Sequence, residues 1–162
     1  MKLKLEISAP SPAWRKLSRA RTMAREAVAA CVAESGFAPL DGAEVSLLLT
    51  GDAEVRALNA RWRGQDKPTN VLSFPAAPAD RLADSPALGD IALAFETLAR
   101  EADAEGVPLA DHYQRLVTHG FLHLIGYDHQ TDEEAERMEA LETRILARLG
   151  VADPYADGAA SA

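Results

Sequence analysis

Residues 119–129, towards the C-terminal end of the chain, read His-Gly-Phe-Leu-His-Leu-Ile-Gly-Tyr-Asp-His. His119 and His123 are four residues apart, so on a helix their side chains lie on one face. Gly126 follows three residues later, where a left-handed residue can end a helix at little cost. The chain can then turn back and bring His129 to the same point. Three imidazoles around an open fourth position are the arrangement expected of catalytic zinc.

The same spacing, His-x3-His-x2-Gly-x2-His, is found in the metzincin proteases, where a glutamate follows the first histidine and acts as general base. In this chain that position is Gly120. Without the carboxylate, the group that activates water in a peptidase is missing. The pattern therefore predicts the metal geometry without the peptidase chemistry. The alternative is that the three histidines simply pack into the core of an amphipathic helix.

The composition bounds the class of protein. A chain of 162 residues with 48% apolar and 26% charged residues fits one ordinary globular domain. Its only cysteine, Cys31, excludes an internal disulfide and a cysteine-based zinc site. We find no apolar run of membrane-spanning length and no signal-peptide core, so we expect a cytoplasmic protein.

The charge distribution restricts how this chain can bind nucleic acid. A net charge of −8 argues against a general nucleic-acid coat. Basic residues are concentrated in residues 1–25, which hold seven Lys or Arg and one acidic residue. A second basic group comprises Arg56, Arg61, Arg63 and Lys67. Contact with RNA would therefore come from local patches.

Hydrophobic periodicity and turn residues predict the element order β-α-β-α-β-β-α-α-α. The pattern predicts a long first helix over 13–35, a second helix with Trp62 facing inward, and a capping box that begins the last helix at Thr131. We therefore expect a single α+β domain over residues 1–152. It would contain a four-stranded mixed sheet, about five helices and a zincin-like metal helix. Residues 153–162, rich in Ala, Gly and Ser, are predicted to be a disordered tail.

Three blocks of the chain resemble the YbeY family of bacterial zinc-dependent endoribonucleases linked to rRNA maturation. They are the histidine stretch 119–129, the block from Leu58-Asn59 through residues 61–75 (Arg-Trp-Arg-Gly-Gln-Asp-Lys-Pro-Thr-Asn-Val-Leu-Ser-Phe-Pro) and the Gly-Asp-Ile sequence at 89–91. The resemblance covers about residues 40–150. It implies a metal-dependent, single-strand-directed endoribonuclease that acts in maturation of the small-subunit rRNA 3′ end and in ribosome quality control. It also implies two partners, a small-subunit ribosomal protein and a ribosome-associated GTPase.

The candidate site residues follow from the spacing and the resemblance together. We expect His119, His123 and His129 to hold one Zn²⁺ per chain, with His119 essential for catalysis. Asp128 would either orient a ligand, act as a base or cap the turn.

Arg63 matches the functionally important arginine of the family, and a guanidinium suits the negative charge that develops on a scissile phosphate. Lys67 and Asn70 are further candidates for substrate contact. We interpret His112, seven residues before His119, as an exposed histidine.

Two other functions remain open at this point. The protein could be a ribosome-assembly factor whose zinc is mainly structural and whose intrinsic catalysis is small. The missing glutamate at Gly120 and the acidic net charge both favour that interpretation. A zinc hydrolase of another substrate class is the third possibility, although Gly120 argues against a peptidase.

Overall fold

The order of strands and helices is the predicted one. The structure is a computed structural model and describes residues 3–152. The strands are β1 (Lys4–Ser8), β2 (Glu44–Thr50), β3 (Val71–Pro75) and β4 (Ala87–Ala94). The α-helices within these residues are α1 (Ala20–Ser35), α2 (Asp52–Arg63), α3 (Phe95–Glu105), α4 (Leu109–Leu124) and α5 (Asp132–Arg148).

The sheet is mixed, as predicted, and its strand order is β1-β2-β4-β3. Strands β1, β2 and β4 run parallel, whereas β3 pairs antiparallel with β4. Helices separate β1 from β2 and β2 from β3, but β3 and β4 are joined without an α-helical crossover, which suits an antiparallel pair. Strand β3 is therefore an edge strand, and α4 packs beside it.

Helices cover both faces of the sheet. The main core contains buried residues of α1, α3, α4 and α5 together with Val45, Leu47 and Leu49 of β2. A smaller cluster lies where α2 packs, with Val55 against Leu72. The buried positions of β2 alternate along the strand because successive side chains point to opposite faces. The predicted α+β fold, with a four-stranded mixed sheet and five α-helices, is confirmed.

The first predicted helix is shorter than expected. A 3₁₀ turn at Pro12–Lys16 precedes α1, which begins only at Ala20. Trp14 is buried in this turn, and its indole N–H donates to the carbonyl of Thr50 at 2.8 Å. The buried hydrogen bond to β2 fixes Trp14 in the 3₁₀ turn. This tertiary contact outweighs the local helical pattern, so α1 does not extend back to residue 13 as predicted.

The inward orientation predicted for Trp62 is wrong. Its side chain is 61% exposed. Trp62 lies in the last turn of α2, at the margin of an open apolar groove, and the Arg61 guanidinium lies 5.0 Å from the centre of its ring. The apolar positions of α2 keep their helical period as far as Trp62, but the end of the helix is not covered there. The period therefore does not determine whether Trp62 is buried.

The predicted tail at 153–162 lies outside the described residues, and the domain boundary at 152 stays a prediction.

Candidate functional site

The three histidines of the decisive stretch converge at the C-terminal end of α4. His119 and His123 lie one turn apart on this helix, with Nε2 atoms 3.0 Å apart. The ring of His129 lies 6.0 Å from that of His119 and 5.1 Å from that of His123, measured between centroids. One nitrogen from each ring can be chosen so that all three lie within 4.8 Å of one another. The cluster could therefore hold a metal ion.

A Schellman turn returns the chain to the helix. The N–H of Gly126 donates to the carbonyl of His123 at 3.1 Å, and the N–H of Tyr127 donates to that of Leu122 at 2.9 Å. Gly126 has a φ of 107°, a conformation that side-chain-bearing residues rarely adopt. Just beyond this turn, the Asp128 carboxylate accepts the N–H of His129 at 2.8 Å. Asp128 thus makes the turn contact that was one of its predicted roles.

The acidic partner of this cluster was not predicted from the sequence. Glu142, on α5, places Oε2 3.1 Å from Nδ1 of His119, and the carboxylate is almost fully buried. Because a carboxylate accepts hydrogen bonds, this contact places the proton on Nδ1 and leaves Nε2 free to bind a ligand. The sequence signal that could have identified it is the position of Glu142, an acidic residue within the apolar stripe of α5, beside Leu141 and Ile145.

The surroundings of His123 favour the neutral imidazole, which is the form that binds a metal. Burial lowers the pKa of His123, and the neighbouring rings of His119 and His129 lower it further. The imidazole of His123 therefore remains neutral near pH 7 and keeps a lone pair for coordination. Three imidazole donors, one of them oriented by a buried carboxylate, fit a divalent metal of the zinc type.

Gly120, at the position of the peptidase glutamate, packs closely against the sheet. A Cβ at this position would lie 3.0 Å from Cγ2 of Val71 and 3.1 Å from Cγ2 of Ile91. The carbonyl of Gly120 also accepts the hydroxyl of Ser73 at 2.8 Å. A larger residue at this point would therefore meet side chains of the sheet at less than ordinary van der Waals distance.

A cleft of about 650 Å³ extends from the histidine cluster along α4 and β3. Arg63, the last residue of α2, lines this cleft and donates from Nη2 to the carbonyl of Ser73 at 2.6 Å. Its guanidinium carbon also lies 5.4 Å from the ring centre of Phe74. Although Arg63 is 56 residues from His119 in the chain, the fold brings both to one cleft.

The other predicted site residues divide into two groups. Asn70 and Asp128 line the cleft, whereas Lys67 is exposed and does not. The backbone of Lys67 is held in the loop, since its carbonyl accepts from Asn59 Nδ2 at 2.9 Å and its N–H donates to the carbonyl of Gln65 at 2.9 Å. The predicted exposure of His112 is wrong, since the residue is only 3% exposed and lines the cleft near Glu101.

A mixed sheet lies beside a helix that carries a His-x3-His pair, and a third histidine follows after a glycine turn, so the fold and site define a protein with a three-histidine cluster that could hold a metal ion. The family model described as Endoribonuclease YbeY matches residues 12–150. This chain belongs to the YbeY family.

Relatives support the same grouping. The Endoribonuclease YbeY of Bradyrhizobium diazoefficiens is 52% identical over 156 residues, covering 94% of this chain and 85% of that protein. The protein of the same name from Rhizobium meliloti is 60% identical over 121 residues, covering 74% of this chain and 71% of its own.

Among solved structures, the solution structure of TM1509 from Thermotoga maritima matches with a TM-score of 0.55 at 23% identity. It covers 94% of this chain and 99% of that one, and this likeness shows the fold alone. No helix within residues 3–152 is long and apolar enough to cross a membrane.

Proposed function

We propose that this protein is a zinc-dependent endoribonuclease that cleaves single-stranded RNA and acts in maturation of the small-subunit rRNA 3′ end and in ribosome quality control. The observation that carries the proposal is that one cleft contains both the histidine cluster and Arg63. The name Endoribonuclease YbeY, which the relatives bear, supports RNA as the substrate class.

His119, His123 and His129 would hold the zinc ion, and Glu142 would orient His119 for that role. The chemistry that zinc supplies at such a site is Lewis-acid activation of water and of phosphoryl oxygens. Neutral ligands leave the charge of the ion undiminished, which suits a reaction on an anionic phosphodiester. Asp128 lines the same cleft and is our candidate for accepting a proton, beyond its contact with the turn.

Arg63 would bind the phosphate. Its guanidinium carries five N–H donors, of which one is described as bonded to the Ser73 carbonyl, so other donors can reach a phosphoryl oxygen. The Ser73 carbonyl and the Phe74 ring restrict its position before substrate arrives, which lowers the entropic cost of binding. Asn70 would contact substrate within the cleft, and Lys67 would contact it only beyond the cleft.

The test is cleavage of a single-stranded precursor rRNA fragment by purified protein. Arg63→Ala and His119→Ala should abolish cleavage while remaining folded by circular dichroism. Arg61→Ala is the matched control for charge, because Arg61 is exposed on the same helix, stacks on Trp62 and does not line the cleft. Equal cleavage by all four proteins would identify a contaminating nuclease and remove the support for this function.

A second candidate is a ribosome-assembly factor with a mainly structural zinc. The observation that favours it is the position of the histidines, since a metal there would join α4 to the segment after its end. If the wild-type protein binds zinc, cuts no RNA and unfolds on chelation, this second function is the better one.

We also propose a cytoplasmic location and binding to a small-subunit ribosomal protein and a ribosome-associated GTPase.

A further inference from the structure

The free edge of β3 borders the cleft that contains the histidine cluster. Because β3 is the last strand of the sheet, it pairs on one side only, with β4. Several residues of β3, among them Val71, Ser73 and Pro75, line the cleft. An edge strand presents backbone N–H and C=O groups that the sheet does not use. Unpaired backbone groups of β3 are therefore directed towards the cleft.

The register of β3 determines which of its backbone groups point away from the sheet. The carbonyl of Asn70 and the N–H of Ala76 are both bonded to residues of β4. In an antiparallel pair the N–H and C=O of one residue point to the same side, and successive residues alternate. Residues 71, 73 and 75 therefore direct their backbone groups away from β4.

Of these three residues, Ser73 is the one that offers an N–H to the cleft. The N–H of Val71 donates to the side chain of Asn70, at 2.7 Å from Oδ1, and Pro75 has no N–H. Within residues 3–152, no acceptor outside the sheet is bonded to the N–H of Ser73. A backbone donor without a partner costs free energy, which a ligand with an acceptor oxygen would recover.

This donor lies beside the guanidinium that is proposed to bind phosphate. Nη2 of Arg63 donates to the carbonyl of Ser73 at 2.6 Å. In an extended residue the amide nitrogen lies about 3 Å from the carbonyl oxygen of the same residue. Nη2 of Arg63 therefore lies within about 6 Å of the Ser73 amide nitrogen. With hydrogen bonds of about 2.7–3.2 Å, two donors at this separation can reach different oxygens of one phosphate.

The side chain of Ser73 fixes this donor relative to the histidine cluster. Its hydroxyl donates to the carbonyl of Gly120 at 2.8 Å, and Gly120 directly follows His119 in α4. One residue of β3 is thus bonded to α4 through its hydroxyl and to Arg63 of α2 through its carbonyl. These two contacts hold the N–H in a fixed orientation. Preorganised donors of this kind stabilise negative charge that develops in a transition state.

We propose that the backbone N–H of Ser73 binds an oxygen of the scissile phosphate, as a second donor beside Arg63. The inference rests on the proposed function, because it requires RNA in the cleft. An amide N–H carries no net charge, so it adds direction to the attraction that the guanidinium supplies. Every residue except proline retains this donor, so ordinary side-chain substitution does not remove it.

The experiment removes the N–H without a further change of side chain. Cell-free translation of the full chain places either alanine or lactic acid at position 73, so the two proteins differ in an amide and an ester bond. Both lack the Ser73 hydroxyl, whose loss therefore does not enter the comparison. Single-turnover cleavage of the precursor rRNA fragment is measured with zinc-loaded protein. Binding of the same fragment is measured by fluorescence anisotropy with zinc-free protein.

We expect the ester to cut about 100-fold more slowly than Ser73→Ala, the magnitude for loss of one donor to a developing charge. The affinity of the zinc-free protein for the fragment should fall only about threefold, because such a contact is strongest in the transition state. Ser73→Pro removes the same N–H and should show the same loss. Proline is compatible with an edge strand where the missing N–H faces away from the sheet.

The control accounts for a second effect of the ester, which weakens the preceding carbonyl as an acceptor. At position 73 that carbonyl belongs to Leu72, which faces β4. Lactic acid in place of Pro75 weakens the carbonyl of Phe74, which also faces β4, and removes no N–H. Because one weakened backbone hydrogen bond costs little, this protein should cut within about threefold of wild type.

Equal cleavage rates for the amide and the ester at position 73 overturn the proposal and leave the nuclease function standing. An equal loss with lactic acid at position 75 also overturns it, since the weakened strand would then be the cause. A wild-type protein that cuts no RNA overturns both. If the ester protein does not fold, as judged by circular dichroism, Ser73→Pro decides, and cleavage equal to that of Ser73→Ala overturns the proposal.

Discussion

The buried carboxylate of Glu142 lies 3.1 Å from Nδ1 of His119, so a residue of α5 fixes the orientation of a histidine on α4 across 23 positions of the chain. Such carboxylate–histidine contacts orient a metal ligand and raise its basicity. Two helices that meet in the core thereby determine the orientation of one histidine of the cluster.

We expect Glu142→Gln to lower zinc affinity about tenfold, because the amide still accepts from Nδ1 but the charge is lost. Competition with a chromophoric chelator measures the affinity without reference to RNA cleavage. Glu139→Gln, an exposed carboxylate on the same helix, is the control and should bind zinc as wild type does. Equal affinities in all three proteins would show that the contact with His119 does not support the metal.

Gly120→Ala should destabilise the protein even though alanine is the better helix former. The added Cβ meets side-chain atoms of Val71 and Ile91 at 3.0 and 3.1 Å. Overpacking outweighs the gain in helix propensity, leaving a net loss of about 1–2 kcal/mol in the free energy of unfolding. Urea denaturation measures this difference. A rise in stability would show that α4 can move away from the sheet at little cost, and Gly120→Glu would then also be tolerated.

Arg63→Lys should not restore the function lost in Arg63→Ala. A lysine ammonium keeps the charge but loses the planar fork that binds the Ser73 carbonyl and a phosphate together. We expect the cleavage rate to fall about 100-fold, as for loss of one donor to developing negative charge. Single-turnover kinetics on the precursor fragment measures the rate. Full activity of the lysine variant would mean that charge alone is required at this position.

Asp52 and Glu96 join the N-termini of α2 and α3. Glu96 accepts the N–H of Asp52 at 2.8 Å, and Asp52 accepts the N–H of Thr97 at 3.1 Å. Burial raises the pKa of Asp52, but hydrogen bonds from Thr97 and the guanidinium of Arg100 outweigh it, so the pKa lies below its ordinary value of 3.8.

Because the folded-state pKa is depressed, the ionised Asp52 stabilises the fold at pH values above 3.8, and this contribution is lost as the pH falls through the folded-state pKa. Asp52→Asn should cost about 0.5–1 kcal/mol at pH 7 and progressively less in acid. Urea denaturation at a series of pH values measures it, with exposed Asp103→Asn as the control. A deficit that does not change with pH would assign the loss to packing and not to charge.

Chemical labelling of Cys31 measures whether the core is folded. It is fully buried in α1, and burial raises the pKa of its thiol far above the usual range. The thiolate is the reactive form, so we expect iodoacetamide to modify Cys31 only after unfolding. Mass spectrometry measures the extent of labelling. Chelation should leave Cys31 protected, and rapid labelling after chelation would instead favour the structural-zinc function.

Features that depend on local spacing could be predicted from the amino-acid sequence. The His119–His123 pair follows from the period of the helix, and the turn at Gly126 follows from the conformational freedom of glycine. The capping box of Thr131 and Glu134, present in the structure, is also a local pattern. These elements depend on residues a few positions apart, which is why they can be predicted without knowledge of the fold.

Contacts between distant segments could not be predicted from local patterns and became visible in the folded chain. The Glu142–His119 contact, the close approach of Gly120 to the sheet and the burial of His112 beside Glu101 depend on how helices pack against each other and against β3. Trp62 continues the helical period of α2 yet lies at the open end of a groove. Periodicity specifies which face of a helix is apolar, whereas burial of a given residue depends on whether another element covers it.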